Sequence, residues 1–581
     1  MEYQIKFPRD KNLSVIEQIF KNRNIEDPAH YLNTTDDDIL SPLGLDNIHN
    51  GVKMLIKHIG ENHDIFVQVD SDCDGYTSAS TLINYLHKLF PAYVENHMFY
   101  NFHEGKAHGI DLTKLPKGKD IKLIIAPDSS SNQKDVHIEC QKKGIDVLVI
   151  DHHESNETGS PACIINNHMC DYENKTLSGA GVVYKFCQYL DTLTGHDYAE
   201  DLLDIVSLGI IADVMDLRSY ETRRLIDKGL ANIKNPFMIA SVKKNEFVMK
   251  GVVNVHGVSW YIAPGVNAVT RVGTLSEKKA LFESMLDFKA YTMIPSTKRG
   301  CSGEQEMIVE QAVRVCTNAR NNQNKVRDTA LPKIESLIEK YNLNNNKILI
   351  ICLDFDADKA LTGLMANKIM SQYNKPTLIL NKIETADGDM PILWSGSGRN
   401  CHCLSFPNFK SFLADSGFVE FAEGHEGAFG VGICPENILA LNAYANDQLA
   451  DVEFINVYEP DIIFTPQDLY GSDIWSIAEL GWVWGEGIEE PEICIEGLPV
   501  YAENLVIYKG TTIKITPRDL DGTNLSFIMF GANEDIFNEL YSEMGCVKVN
   551  IIGKCVVDTY NGGPQIVIKD LEVVERQDYY F

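Results

Sequence analysis

Three short apolar runs, each ending in acidic or imidazole side chains, constrain this chain more than any other feature. Ile65-Phe-Val-Gln-Val69 runs into Asp70-Ser-Asp72-Cys-Asp74-Gly75, and Ile121-Lys-Leu-Ile-Ile125 runs into Ala-Pro-Asp128-Ser-Ser-Ser131. Ile145-Asp-Val-Leu-Val-Ile150, entered through Gly144, runs into Asp151-His152-His153. Runs this short and this rich in β-branched residues read as buried strands. Helical patterns lie between them, which predicts a parallel sheet, and ligands bind at the carboxyl edge of such sheets. Five carboxylates and two imidazoles gathered at that edge would repel one another unless cations compensated them. The economical reading is a metal site with more than one ion.

The acidic loop has two competing explanations. An EF-hand needs a bidentate Glu at loop position 12 and a helix on the incoming side. Here Thr81 holds that position and the incoming segment is a strand, so the EF-hand fails. Capping of a helix start by the macrodipole explains one carboxylate, not three at period two beside equivalent acidic ends on neighbouring strands. His152 and His153 are consecutive at a strand end, so they point in opposite directions and one can ligate while the other faces substrate. Asp213, at the end of a predicted helix over Leu202–Ile211, is placed to close the coordination sphere.

The remaining composition narrows the class. A chain of 581 residues predicts about three or four domains. The net charge of −30 argues against a protein that coats nucleic acid generically, because phosphate binding needs a basic surface, although it leaves room for a local basic groove. The 14 cysteines include no CxxC pair, and Cys401-His402-Cys403 lacks the second pair a zinc site needs. No secretory segment or membrane-length apolar run is evident. The expectation is a cytoplasmic, monomeric protein.

By pattern, 1–45 is an N-terminal extension with a short helix near Ser14–Lys21, and the Asp-rich Thr34–Asp38 is a cap or solvated turn. An α/β domain occupies 46–235, with helices predicted at Thr77–Phe90, Gly181–Leu193 and Leu202–Ile211. A helical region covers 236–340 and a second α/β domain 341–450, beginning at Lys347–Leu353. That domain carries the glycine-rich Ser395-Gly-Ser-Gly398-Arg399 and Gly424-His425-Glu-Gly-Ala-Phe-Gly430, the second read as a loop. From 451 to 581 short alternating strands and the Asn561-Gly562-Gly563 turn predict a small β-barrel.

These residues resemble a known family. Asp-x-Asp-x-Asp-Gly, a strand-end Asp, Asp-His-His and a helical Ala-Asp-Val together resemble the DHH phosphoesterases. Within them the chain is similar to the RecJ branch of single-strand-specific 5′→3′ DNA exonucleases. Leu177–Phe186, Ser207–Leu217, Ile262–Arg271, Gly396–Arg399, Gly424–Gly430 and Gly481–Pro491 carry the likeness in order, over about 46–575. There are departures. Thr270 and Glu423 stand where the family usually has glycine, and an arginine often found upstream of Glu104-Gly105 is missing. They bear on substrate contacts and are compatible with a distant, phage-encoded branch.

The resemblance implies a DHH-type parallel-sheet domain, a linking helical region, a DHH-associated α/β domain and an OB-like barrel. It implies two divalent ions, Mn²⁺ or Mg²⁺, held by Asp72, Asp74, Asp128, His152 and Asp213, with Asp128 bridging. Asp70 is a ligand or outer partner, Asp151 orients an imidazole, and His153 touches the scissile phosphate. Arg271, Asn267, Arg399, Gly398, His425 and Gly424 are implied substrate contacts, with His425 near a 5′-terminal phosphate. Single-stranded DNA is the implied substrate in repair, recombination or replication, guided by stacking on Trp482, Trp484, Phe527 or Tyr560. A single-strand-binding protein or helicase is the implied docking partner. Other DHH phosphodiesterases (an oligoribonuclease or a cyclic-dinucleotide hydrolase) are disfavoured by the C-terminal barrel, a non-catalytic replication scaffold by the intact acidic and His positions, and a plain DNA-binding module by the buried acidic cluster.

Overall fold

The computed structural model describes the chain except for residues 6, 106, 302, 356–360, 384–392, 402–405, 407, 455–456, 518–521, 559–560 and 579–581, and the side chains of 425 and 578. His402, Cys403 and Tyr560, and the His425 side chain, therefore lie outside the described residues. The chain divides into two compact units. One comprises Arg23–Arg320 with Leu480–Glu490, the other Met1–Asn22 with Asn321–Glu479 and Pro491–Phe581.

In the first unit the three apolar runs form β1 (Asp64–Val69), β3 (Ile121–Pro127) and β4 (Asp146–Asp151). They are the centre of a five-stranded, all-parallel sheet whose outer strands are β2 (Met98–Phe102) and β5 (Cys163–Asn166), in the order β2-β1-β3-β4-β5. Phe66, Val67, Leu123, Ile124, Leu148 and Val149 are fully buried, as strands covered on both faces require. Three helices position the site: α1 (Cys73–Leu89), α2 (Gly179–Thr194) and α3 (Leu203–Ala212). All of α1 from Cys73 to Leu86 is buried, and its Thr77, Ser78, Ser80 and Thr81 are small enough to let neighbouring helices approach closely.

Two helix starts differ from expectation. Helix α1 begins at Cys73 rather than Thr77 because Asp72 caps it, accepting from the Gly75 N–H at 3.0 Å. Asp74 therefore sits in the first helical turn. Helix α2 begins at Gly179, two residues ahead of expectation, which turns its N-terminus toward Asp74. The segment Leu480–Glu490 is held to this unit by the buried Arg223, which donates to the Val483 carbonyl at 2.9 Å, and by the Leu217 N–H on the Glu486 carbonyl, also 2.9 Å.

In the second unit a five-stranded mixed sheet has the order β9-β10-β8-β7-β6. These strands are β6 (Leu349–Cys352), β7 (Thr377–Ile383), β8 (Leu393–Arg399), β9 (Phe421–His425) and β10 (Ala428–Ile433), with helix α4 (Thr362–Tyr373) after β6. A seven-stranded sheet follows, built from β11 (Ile462–Phe464), β12 (Glu492–Tyr501), β13 (Leu505–Tyr508), β14 (Thr512–Ile515), β15 (Ser526–Phe530), β16 (Gly545–Val557) and β17 (Pro564–Asp578). Its order is β11-β12-β16-β17-β15-β14-β13. Strands β12 and β13 lie near opposite ends of that order yet are separated only by the turn Ala502–Asn504, so the sheet has to curl round on itself. Glu2–Tyr3 pairs in parallel with Val457–Tyr458, which ties the first residues of the chain to this unit.

Candidate metal centre

The carboxyl ends of β1, β3 and β4 deliver their polar side chains to one point. His152 Nε2 lies 3.2 Å from Asp128 Oδ1, 3.3 Å from Asp213 Oδ2 and 3.9 Å from Asp74 Oδ2. Asp128 has a left-handed backbone (φ 62°), a conformation Asp tolerates, and its N–H bonds the Ile150 carbonyl at 2.8 Å. Asp74 is fixed from the other side by the start of α2, accepting from Ser178 Oγ (2.9 Å), Gly179 N (2.6 Å) and Ala180 N (3.2 Å). Two glycines leave room for these groups. A Cβ at position 179 would stand 2.4 Å from Asp128 Oδ1, and one at position 209 would stand 2.4 Å from Asp74 Oδ1.

A second cluster adjoins the first through the acidic loop. Asp70 Oδ2 lies 2.5 Å from His108 Nδ1, its Oδ1 accepts from the Gly109 N–H at 2.9 Å, and Asp70, Asp72 and His108 present ligand atoms within 4.8 Å of one another. Asp74, His152 and Asp213 do the same, as do Asp128, His152 and His153.

The electrostatics are those of a site short of positive charge. Burial first, then the neighbouring carboxylates, push Asp128 well above the carboxylate range and Asp213 up to about 8. Asp72 is raised for the same first reason. Burial also lowers His152, keeping it neutral as a ligand must be despite the carboxylates around it. Among the described residues, Asp128 Oδ1 and His152 Nε2 are buried and make no hydrogen bond although they are 3.2 Å apart. A buried carboxylate oxygen and a neutral imidazole nitrogen left in this way fit a cation between them. The donors are carboxylates and imidazole, the set that suits Mn²⁺ or Mg²⁺ rather than thiolate-seeking metals. Burial raises the adjacent Cys73 thiol strongly, so it stays protonated and is a packing group.

Asp151 is a scaffold for the two histidines. Its Oδ1 accepts from His152 N (2.8 Å), His153 N (3.3 Å) and His153 Nδ1 (2.8 Å), and its Oδ2 from Ser131 N (3.0 Å). Burial works to raise this carboxyl, but the His153 hydrogen bond and charge outweigh it and hold it at about 2. The same hydrogen bond raises His153 to about 9, and more than half of that side chain is exposed.

The implied substrate contacts divide between the two units. Asn267 and Arg271 stand on helix Ala263–Val272 in the first. Asn267 Oδ1 accepts from the Cys73 N–H at 3.0 Å, so this side chain braces the acidic loop. Arg271 keeps a buried Nε without a hydrogen-bond partner among the described residues. Gly398, Arg399, Gly424 and His425 belong to the second unit. The first glycine-rich segment there lies in β8, and the second, read as a loop, is a hairpin in which Gly424-His425 ends β9, Glu426-Gly427 turns and Ala428–Gly430 begins β10. A Cβ at Gly396 would lie 1.9 Å from the Ile379 carbonyl oxygen and one at Gly398 would lie 2.5 Å from the Phe429 ring, so close sheet packing accounts for both glycines. Arg399 reaches the start of α4, where a Cβ on Gly363 would come within 2.6 Å of its Nη2. Of the stacking candidates, Phe527 and Trp484 are buried, and Trp482 is partly exposed with the Arg223 guanidinium 4.8 Å over its ring. His108 is the site residue that sequence reasoning missed; its only signal was a second histidine five residues after His103 around Glu104-Gly105.

A parallel sheet with this centre at its carboxyl edge defines a metal-dependent enzyme. The model of the DHH family, N-terminal domain, matches residues 64–210. The SPbeta prophage-derived single-strand DNA-specific exonuclease YorK of Bacillus subtilis (strain 168) is 36% identical over 99% of both chains. The single-stranded-DNA-specific exonuclease RecJ of the same organism is 24% identical over 94% of this chain and 66% of its own. Among solved structures, RecJ from Thermus thermophilus in complex with Mn²⁺ superposes with a TM-score of 0.71 at 17% identity, over 97% of this chain and 76% of that one. The chain belongs to the DHH family.

Proposed function

We propose that this protein is a divalent-metal-dependent exonuclease that degrades single-stranded DNA from the 5′ end to 5′-mononucleotides. The observation that carries the reading is the pair of buried, hydrogen-bond-free ligand atoms on Asp128 and His152, set among Asp74 and Asp213. The full-length similarity to a single-strand DNA-specific exonuclease supports the choice of polymer.

Asp74, Asp128, His152 and Asp213 would hold one ion, and Asp70, Asp72 and His108 a second. When bound, Mn²⁺ or Mg²⁺ supplies Lewis acidity at the phosphoryl group and makes water acidic enough to act as a nucleophile near neutral pH. His153, held at Nδ1 by Asp151 and protonated at neutral pH, uses its other ring nitrogen to stabilise charge developing on the scissile phosphate. Arg271 supplies a bidentate donor to the backbone of the bound strand, and Asn267 keeps the acidic loop in register. Arg399 at the start of α4, with Gly398, Gly424 and His425, binds the strand's 5′-phosphate end.

The C-terminal sheet is proposed as an OB-like barrel that guides the strand. Counting β12 and β13 as one bent first strand, the sheet order is first-second-third-fifth-fourth-first, with the helix Glu534–Leu540 between the third and fourth strands. A single-strand-binding protein or helicase is the proposed docking partner.

The test uses 5′- and 3′-labelled single- and double-stranded DNA and RNA with Mn²⁺, Mg²⁺ or EDTA. Immediate release of the 5′ label as mononucleotide from single-stranded DNA, abolished by EDTA, is expected. Intact single strands with both metals would refute the reading.

A further inference from the structure

Beside Asp213 the first unit has a cavity of about 190 Å³ whose lining includes Val214, Met215, His256, Trp260, Trp484 and Glu486. Two unusual backbone features frame it. Val214, immediately after Asp213, is a β-branched residue with φ 57°, a left-handed conformation that such residues enter only under constraint. Trp260 sits in the π-helical turn Val258–Ile262, a form that recurs at functional sites. That turn leads directly into the helix Ala263–Val272, whose Asn267 braces the acidic loop. The cavity is thus tied to the metal centre through both Asp213 and the acidic loop.

Its chemistry is that of an uncharged ring site. Among the described residues no lysine or arginine lines it, and Glu486 is the one carboxylate, so it is unsuited to a phosphate. Trp260 is 59% exposed and lies near the His256 ring, with centroids 5.8 Å apart at 34°. The volume falls below the roughly 300–1,000 Å³ of drug-sized pockets and suits a single planar group. An exposed indole of this size on a segment otherwise tied to the core has little structural work to do. Stacking on an aromatic face is how sequence-tolerant binders hold single-stranded bases.

Resting on the exonuclease reading, we infer that this cavity is a nucleobase subsite. In it Trp260, with Val214 and Met215, holds the base of a nucleotide flanking the scissile phosphodiester and so selects strands whose bases are unstacked. Duplex ends are resisted because their bases cannot enter without leaving the stack.

The experiment compares oligonucleotides carrying one baseless nucleotide at the first, second or third position from the 5′ end with the unmodified strand. Wild type, Trp260→Phe and Trp260→Ala are assayed for kcat and KM. At one position the wild type is expected to lose roughly tenfold or more in kcat/KM without the base, chiefly through KM. Trp260→Ala is expected to cut the unmodified and baseless strands equally, with Trp260→Phe between. Exposure of Trp260 makes these variants mild for folding. Unchanged base dependence in Trp260→Ala, or none in the wild type at any position, overturns the subsite and leaves the exonuclease reading intact. If the wild type degrades no strand, the exonuclease reading falls instead. Tryptophan fluorescence with added thymidine monophosphate then decides the cavity. Quenching lost in Trp260→Phe supports it, and quenching equal or absent in both overturns it.

Discussion

Replacing Asp151 by Asn isolates what one buried carboxylate does for the two histidines beside it. Asn can keep its oxygen at the Oδ1 position, retaining the bonds from His152 N, His153 N and His153 Nδ1, but it then turns an NH₂ toward the Ser131 N–H. The carboxyl lies at about 2 against 3.8, and the imidazole at about 9 against 6.5. These describe largely one interaction. The carboxylate, fully buried, is the better measure, because the imidazole's exposed side is screened by water. At 1.36 kcal/mol per pKa unit the pair contributes about 2 kcal/mol. A depressed carboxyl stabilises the fold above its unfolded value and loses that contribution as pH falls from about 4 through 2. Asp151→Asn should therefore unfold about 2 kcal/mol more easily at pH 7.5, with the deficit shrinking below pH 4. Activity gives the sharper readout. If protonated His153 is the working form, the alkaline limb of kcat/KM falls from near 9 toward 6.5, and at pH 8 the variant is about 30-fold slower for lack of imidazolium. Denaturant titrations and a pH profile measure both effects. A variant that is destabilised but keeps its alkaline limb would refute the role given to His153.

Metal removal makes a linked prediction. Without cations Asp128, Asp213 and Asp72 are raised, so the fold binds more protons than the unfolded chain and loses stability as pH rises from about 4 toward 8. Mn²⁺ should raise Tm more at pH 8 than at pH 5.5, on the scale of about 2.7 kcal/mol per ion at a hundred times Kd, and an equal or reversed difference would contradict the site. Gly179→Ala places a methyl 2.4 Å from Asp128 Oδ1 and should cost at least about a hundredfold in activity, together with the Mn²⁺-induced Tm shift, while circular dichroism stays native. His108→Gln should raise the Mn²⁺ concentration for half-maximal activity by about tenfold with little change in kcat at saturation; an unchanged metal requirement removes His108 from the site.

What could be read from the chain follows the range of the interactions involved. The three core strands were legible because burial on both faces demands apolar, β-branched runs, and Gly144, at φ 69°, punctuates the third. The edge strands Met98–Phe102 and Cys163–Asn166 were not, being short and without a β-branched run in the first case. The helix starts at Cys73 and Gly179 were missed because Asp72 and Ser178 read as polar loop residues until the site around Asp74 is assembled. The strand character of Gly396 and Gly398 was not legible, since glycine carries no strand preference and only the approach of Ile379 and Phe429 makes it necessary there.

The same rule separates the parts of the site. Asp128 and His152 follow strand ends directly and Asp74 opens the helix after the first strand, so their convergence is a property of local sequence plus a parallel sheet. His108 meets Asp70 across 38 residues, and Ser178–Ala180 meet Asp74 across more than 100, with nothing in either segment to announce the partner. Candidate ligands are thus readable from sequence while the groups that hydrogen-bond and orient them are not. The second set tunes the site. Asp74 accepts from the N–H groups of α2, Asp151 holds the His153 imidazole and the His152 backbone N–H, and the left-handed Val214 turns the chain from Asp213 toward the neighbouring cavity. A relative that keeps every ligand but lacks small residues at 179 and 209 would bring a side chain against Asp128 and Asp74, and should bind these ions weakly or not at all.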